Sequence, residues 1–253
     1  MKSKRSLGQN FFINKNLCEQ IVDIVTKEQP DLIVEIGPGK GSFTQSLSEK
    51  NQNLLLIEKD NNLAEDLIKS FPNSKVRNVD FLEYNMDDLD TYGTKNILFF
   101  GSLPYNASKP IIRKIITSKY FNSTCYFIIQ KEVADKYTAK EPNNNLLSIE
   151  THLYSDVKKL FDISPESFKP KPKVTSSFVC FSPKKKIPDI DMVTFRKFLY
   201  MCFKQPRKTI KNNLRDIDTQ NRGQIAELLS MRPQHLSLDE YLFLFTNVKD
   251  LLI

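Results

Sequence analysis

Ser102-Leu103-Pro104-Tyr105 is the stretch of this chain best equipped for chemistry. It follows the apolar run 97–100 and Gly101, so a hydroxyl and an aromatic ring are presented just past the end of an expected strand. Pro104 stiffens the turn by fixing its own φ. Such a turn can grip a flat, nitrogen-bearing base: Tyr105 stacks on the ring, while the Ser102 hydroxyl and the Leu103 carbonyl accept from its amino group. Four residues of this kind also occur in ordinary strand-to-helix turns, so their meaning depends on what lies upstream.

Upstream, Glu35-Ile36-Gly37-Pro38-Gly39-Lys40-Gly41 sits at the first expected strand-to-helix turn. Glycines there let the backbone approach a ligand and adopt tight-turn dihedrals. A glycine turn alone also suits NAD, FAD or a plain bend. Three features favour S-adenosylmethionine instead. The spacing is GxGxG, whereas the dinucleotide fingerprint is GxGxxG. Glu35 precedes the glycines, which opposes a pyrophosphate and suits the ammonium of a methionine moiety. Glu58 ends the second strand about twenty residues on, where a carboxylate accepts from both ribose hydroxyls. Asp80 follows the third strand and can accept from an adenine amine. Any one of these acids is more often solvated surface, but three at successive strand ends form a pattern.

The elements that must position these residues alternate along the first 130 positions. Asn14 is expected to cap a helix with Leu17, Ile21, Ile24 and Val25 on one face. Strands are expected at 32–36, 53–57, 76–79, 96–100 and 125–129, with helices between them. This predicts an α/β fold, a Rossmann-like mainly parallel sheet with ligands beyond the carboxyl ends of its strands. After about residue 155 the pattern changes. A Pro/Lys-rich loop at 164–173 separates two short apolar segments expected to pair antiparallel, and 183–188 reads as a linker. From Met192 the periodicity is helical. The expected organisation is a cofactor-binding domain over 1–183 and a small all-α domain over 189–253.

The chain has 253 residues, 40% of them apolar and 26% charged, as in ordinary globular proteins. No apolar run reaches the roughly 18–20 residues that span a bilayer. Basic Met1–Arg5 precedes no apolar segment, so no secretory signal and a cytoplasmic location are expected. Cys18, Cys125, Cys180 and Cys202 are scattered, and His152 and His235 lie far from the motifs, so no metal site is expected. Thirty-seven Lys and Arg against thirty Asp and Glu give +7. The excess is uneven: 196–215 contains Arg196, Lys197, Lys204, Arg207, Lys208, Lys211 and Arg215 and no acid, and Lys169, Lys171, Lys173, Lys184, Lys185 and Lys186 precede it. A single charge run is usually a solvated face, whereas two neighbouring runs point to nucleic acid.

Taken together, Ser6-Leu7-Gly8-Gln9-Asn10-Phe11-Phe12, Glu35 to Gly41, Ile57-Glu58, Asp80, Gly101 to Tyr105, Gln130-Lys131-Glu132-Val133, Ser167 to Val174 and Lys204 to Leu214 resemble the rRNA adenine N6,N6-dimethyltransferases. The resemblance runs nearly end to end. It implies S-adenosylmethionine as cofactor, contacted by Asn10, Phe12, Gly37, Gly39, Glu58, Asp80 and Ser102, with Tyr105 stacked on the target adenine. It further implies that Lys171, Lys173, Arg207, Lys208 and Lys211 bind rRNA. Within the family, Gln205 to Leu214 and Arg232 to Glu240 are similar to the branch that matures the small ribosomal subunit. That branch acts on two adjacent adenosines near the 3′ end of its rRNA within the immature 30S particle, and a monomer is expected. Two positions depart from its pattern: Ser102 stands where asparagine is usual, and Pro206 replaces an arginine. Erm-type enzymes of the large subunit and a non-catalytic assembly factor are the competing readings.

Overall fold

The computed structural model describes residues 10–50, 53–214 and 223–248. Ser6 to Gln9, Met1–Arg5 and Arg215 lie outside the described residues. In chain order, β1 (Phe11–Phe12) leads into α1 (Lys15–Thr26), β2 (Leu32–Ile36), α2 (Ser42–Lys50), β3 (Leu54–Glu58), α3 (Asn61–Ser70) and β4 (Lys75–Asn78). A 3-10 stretch, Met86–Tyr92, precedes β5 (Ile97–Ser102), α4 (Ser108–Ile116), β6 (Cys125–Gln130), α5 (Lys131–Tyr137) and α6 (Leu146–His152). Then come β7 (Ser155–Ile163), β8 (Phe168–Lys169), β9 (Ser176–Pro183) and the helices α7 (Met192–Cys202), α8 (Ile210–Asn213), α9 (Gly223–Ser230) and α10 (Leu238–Val248).

Local chemistry starts the helices. Asn14 accepts from the Leu17 N–H at the head of α1, and Asp60 accepts from Asn62 and Leu63 at the head of α3. β2 and β3 are buried at every position, as parallel strands covered on both faces must be. The described residues form a sheet of order β4-β3-β2-β5-β6-β9-β7, and β4, β3, β2, β5 and β6 pair in parallel. β9 runs antiparallel to β6, with Cys125 opposite Phe181 and Gln130 opposite Ser176. The order reverses between β2 and β5, which opens a crevice at their carboxyl ends. Gly101 belongs there because a Cβ would lie 2.6 Å from the Ile36 carbonyl oxygen.

Contacts divide the chain into two compact units: Met1–Ala134 with Val157–Pro183, and Asp135–Asp156 with Lys184–Ile253. In the first, Ile21, Val22 and Val25 of α1 pack on Ile33, Leu98 and Ile128 of the sheet. In the second, Phe195 and Phe198 meet Tyr241 and Phe245. Periodicity begins the helical region at 189, whereas α6 also joins this second core. Ile149 and Leu153 are buried in the same cluster, Glu150 bonds Arg196 at 2.8 Å, and Asn144 donates to the Leu236 carbonyl at 2.8 Å. Each full burial of such an apolar side chain contributes about 1.5–3 kcal/mol. Among the described residues no helix is long and apolar enough to cross a membrane.

Candidate active site

A cleft of about 220 Å³ opens beyond the carboxyl ends of β2, β3 and β5. Its floor is the glycine turn after β2. Gly37 and Gly39 have φ of +66° and +59°, which side-chain-bearing residues rarely adopt. A Cβ on Gly39 would press on the Phe11 ring at 3.2 Å, whereas Gly37 faces open space. The turn is held by Glu58. Its Oε2 accepts from the Gly39 N–H at 3.0 Å and its Oε1 from the Asp60 N–H at 2.8 Å. Burial raises the Glu58 pKa, and these two backbone bonds partly offset the rise. Each oxygen retains a lone pair for a ligand hydroxyl.

Asp80 lies across the cleft from a different strand end. Its Oδ2 pairs with Lys59 Nζ at 2.7 Å and its Oδ1 accepts from the Leu82 N–H. Burial alone would raise the Asp80 pKa, but the Lys59 and Leu82 hydrogen bonds outweigh it and hold the carboxyl below the usual range. Phe81, buried beside it, supplies an apolar wall with Ile57.

The turn after β5 faces the same space. Ser102, Leu103, Pro104 and Tyr105 all line the cleft. The Leu103 N–H donates to the Ile128 carbonyl at 3.0 Å, pinning the turn to β6. The Tyr105 hydroxyl and Ser176 Oγ are hydrogen-bonded at 2.8 Å, which fixes the ring. Burial raises the Tyr105 pKa, so the phenol stays neutral. Among the described residues no donor reaches the Ser102 hydroxyl or the Leu103 carbonyl. Both remain available as acceptors.

The cleft thus gathers Asn10, Gly37, Gly39, Glu58, Asp80, Ser102, Leu103, Pro104 and Tyr105. Two expectations need correction. Phe12 does not line it: its ring is buried against Phe43 and Phe168. Successive strand residues face opposite sides, so Phe11 takes the cleft position. Glu35 is 2% exposed and accepts from Thr44 Oγ1 at 2.7 Å, away from the cleft. Burial pushes it up to about 8, against the Thr44 bond and with help from the Glu58 charge. Turned towards Thr44, it does not face the space where an ammonium would sit.

Sequence reasoning passed over Phe11, Lys59, Phe81 and Phe168, which also line the cleft. Phe11 carried a legible signal, since it is the alternate of Phe12. Of the five expected RNA-binding residues, Lys171 and Lys173 belong to the same unit as the cleft and do not line it. Lys171 pairs with Glu166, and Lys173 is exposed. Arg207, Lys208 and Lys211 are exposed on and beside a loop that one side chain organises. Asn213 accepts from the Gln205 N–H at 2.8 Å and donates to the Gln205 carbonyl at 3.1 Å, the Lys208 carbonyl at 3.4 Å and the Thr209 carbonyl at 3.1 Å.

A mainly parallel sheet with one reversed strand beside β6, carrying a glycine-floored cleft with acids at two further strand ends, is the Rossmann-like fold that S-adenosylmethionine-dependent methyltransferases use. The donor set fits that cofactor, with carboxylates where ribose and adenine present donors and glycines where a side chain would obstruct. A family model described as ribosomal RNA adenine dimethylase matches residues 1–246, and the chain belongs to that family. It is 32% identical over 253 residues to the ribosomal RNA small subunit methyltransferase A of Chlorobium phaeobacteroides strain BS1, covering 98% of this chain and 94% of that one. The protein of the same name from Pelagibacter ubique is 36% identical over 266 residues, covering 99% and 98%. Among solved structures, a dimethyladenosine transferase from Plasmodium falciparum superposes with a TM-score of 0.77 at 20% identity, covering 95% of this chain and 98% of that one. The 23S rRNA methyltransferase ErmE does so with a TM-score of 0.72 at 21% identity, covering 95% and 100%; both share the fold.

Proposed function

We propose that this chain transfers methyl groups from S-adenosyl-L-methionine to N6 of two adjacent adenosines near the 3′ end of 16S rRNA. It would act as a cytoplasmic monomer on the immature 30S subunit, as a step in ribosome biogenesis. The observation that carries this reading is a pair of acceptors that no donor among the described residues reaches, Ser102 Oγ and the Leu103 carbonyl, beside the fixed ring of Tyr105. The small-subunit assignment is supported by relatives named for that subunit over nearly the whole chain.

The cofactor brings a methyl already activated by the positive sulfur, so the protein need supply no nucleophile. Glu58 binds the ribose hydroxyls and Asp80 the adenine amine of that cofactor. The target adenine enters unstacked, as bases in single-stranded RNA can. Tyr105 stacks on its ring. In the first transfer both N6 hydrogens donate, to Ser102 Oγ and the Leu103 carbonyl, and in the second the one remaining N–H does. This draws the nitrogen towards a tetrahedral form with an exposed lone pair, and each transfer releases one N6 proton to water. Most of the acceleration then comes from positioning. Glu58 and Asp80 are committed to backbone and lysine partners, so no general base is assigned.

Arg207, Lys208 and Lys211 bind phosphates and position the RNA without reading its sequence. Lys208→Ala should weaken RNA association and reduce the slope of log affinity against log salt by about 0.7–0.9. Filter binding at several salt concentrations measures this; an unchanged slope removes Lys208 from the interface. Ser102 in place of the usual asparagine favours a second reading, an Erm-type enzyme of 23S rRNA. Mass mapping of methylated adenosines separates the two. Immature small subunits should gain dimethyladenosine at adjacent positions near the 3′ end, and protein-free 23S rRNA should gain none.

A further inference from the structure

The cleft wall that carries Asp80 and Phe81 is a loop, and loops need an external brace to hold a ligand-facing residue still. Asp80 starts a tight turn: its carbonyl accepts from Glu83 and Tyr84, and its carboxylate from Leu82. Such a turn leaves carbonyls short of donors, as a helix C-terminus does: the Phe81 carbonyl accepts only a long bond from the Tyr84 N–H at 3.3 Å. Three carbonyls of the turn converge on one ammonium. Lys114 Nζ donates to the carbonyls of Phe81 at 2.9 Å, Leu82 at 2.8 Å and Tyr84 at 2.7 Å. A lysine has three N–H donors, and all three are used. The same ammonium lies 5.4 Å from the Phe81 ring centroid.

Lys114 comes from α4, and α4 continues directly from the turn that holds Tyr105. The Ala107 and Ser108 N–H groups donate to the Pro104 carbonyl, and Ser108 Oγ donates to the Tyr105 carbonyl. The base-gripping turn and the Asp80–Phe81 wall are therefore braced to one helix, at its start and near its end. On the far side, exposed Lys59 pairs with the partly buried Asp80 carboxylate. That ion pair holds one side chain, whereas the Lys114 bonds hold the backbone of the wall itself.

We propose that Lys114 is a positioning residue: it sets the cofactor-side wall in register with the target-base turn and thereby sets affinity for the nucleoside half of S-adenosylmethionine. This rests on the cofactor assignment above. Lys114→Met keeps the apolar stem and removes the three donors, leaving the loop carbonyls to water. Phe81 and Asp80 then lose their fixed distance from Gly37 and Glu58. Arginine restores several N–H donors to the same carbonyls.

Calorimetric titration of the full chain with S-adenosylhomocysteine and, separately, with methylthioadenosine tests this. Lys114→Met should raise Kd for both ligands by about tenfold, the scale of losing charge-assisted hydrogen bonds. Lys114→Arg should bring both back to within about threefold of the unsubstituted chain. In turnover, KM for S-adenosylmethionine should follow Kd while kcat at saturation stays within about twofold. A purely structural brace would lower the melting temperature of Lys114→Met and leave both Kd values unchanged, which overturns the proposal. Should Lys114→Met not fold, Lys114→Gln replaces it: an intermediate Kd supports the role and an unchanged one overturns it. Failure of the unsubstituted chain to bind either ligand removes the cofactor assignment, and this inference with it.

Discussion

Tyr105→Ala is expected to cut turnover by about 5- to 150-fold, the effect of losing roughly 1–3 kcal/mol of base stacking. Cofactor affinity should change by less than about twofold, because the proposed function gives the ring to the target base and the cofactor to Glu58 and Asp80. The backbone of the turn should survive, since the Pro104 and Tyr105 carbonyls are bonded to the start of α4. Tyr105→Phe keeps the ring and loses only the hydroxyl bond to Ser176. Its loss should be several-fold smaller, as one neutral hydrogen bond contributes about 0.5–1.5 kcal/mol. Single-turnover rates and calorimetric Kd values for S-adenosylhomocysteine measure both effects. If the two variants were equally impaired, the hydroxyl rather than stacking would carry the function. A parallel loss of cofactor affinity would place Tyr105 in the wrong half of the cleft.

Glu58→Ala should act the other way, weakening S-adenosylhomocysteine binding by about 100-fold while sparing kcat at saturation. It removes the ligand's acceptors and frees the Gly39 and Asp60 N–H groups, each costing about 1–3 kcal/mol when buried and unpaired. Glu58→Gln retains one acceptor oxygen and should fall between. The pH dependence has a defined sign. Burial raises the Glu58 pKa above 4.5, so the carboxyl takes up a proton at a higher pH than a free glutamate does. Protonated, it accepts fewer hydrogen bonds, and affinity should fall as pH drops through that value.

Stability runs in the opposite sense. A raised native pKa means that the folded chain binds the proton more tightly than the unfolded one. The resulting stabilisation is complete below about 4.5 and fades as pH rises through the native value. Glu35 contributes in the same direction, its share fading as pH rises from about 4.5 towards its native value of about 8. The contribution of these two acids to melting temperature should therefore grow towards acid while cofactor affinity declines. The difference in melting temperature between the unsubstituted chain and Glu58→Gln isolates the Glu58 share, and a difference that did not move in favour of the unsubstituted chain towards acid would contradict its buried placement.

Much of the first unit was legible because its strands are buried on both faces and read as unbroken apolar runs. The positions of Glu58, Asp80 and Tyr105 followed from one rule about strand ends. What escaped was the facing of individual side chains. Phe11 and Phe12 are indistinguishable by type, and only the pairing of β1 with β8, contributed by a loop more than 150 residues away, decides which ring turns inward. Glu35 looked like its neighbours in the acid pattern, yet its partner Thr44 sits on the next helix and draws it into the interior. Lys114 is one lysine among many in the chain, and nothing local marks the three carbonyls it meets. The helix α6 precedes the second unit's main run by some forty residues, so its place in that core depends on long-range packing that periodicity does not encode.

The Asn213 amide gives the second unit a separation of form from charge. It closes the 205–209 loop through four hydrogen bonds, and none of them involves the side chains of Arg207 or Lys208. Cations on that loop can therefore be exchanged one at a time without altering its outline. Evolution, or an engineer, could retune the grip on an anionic partner there while the scaffold beneath stays as it is.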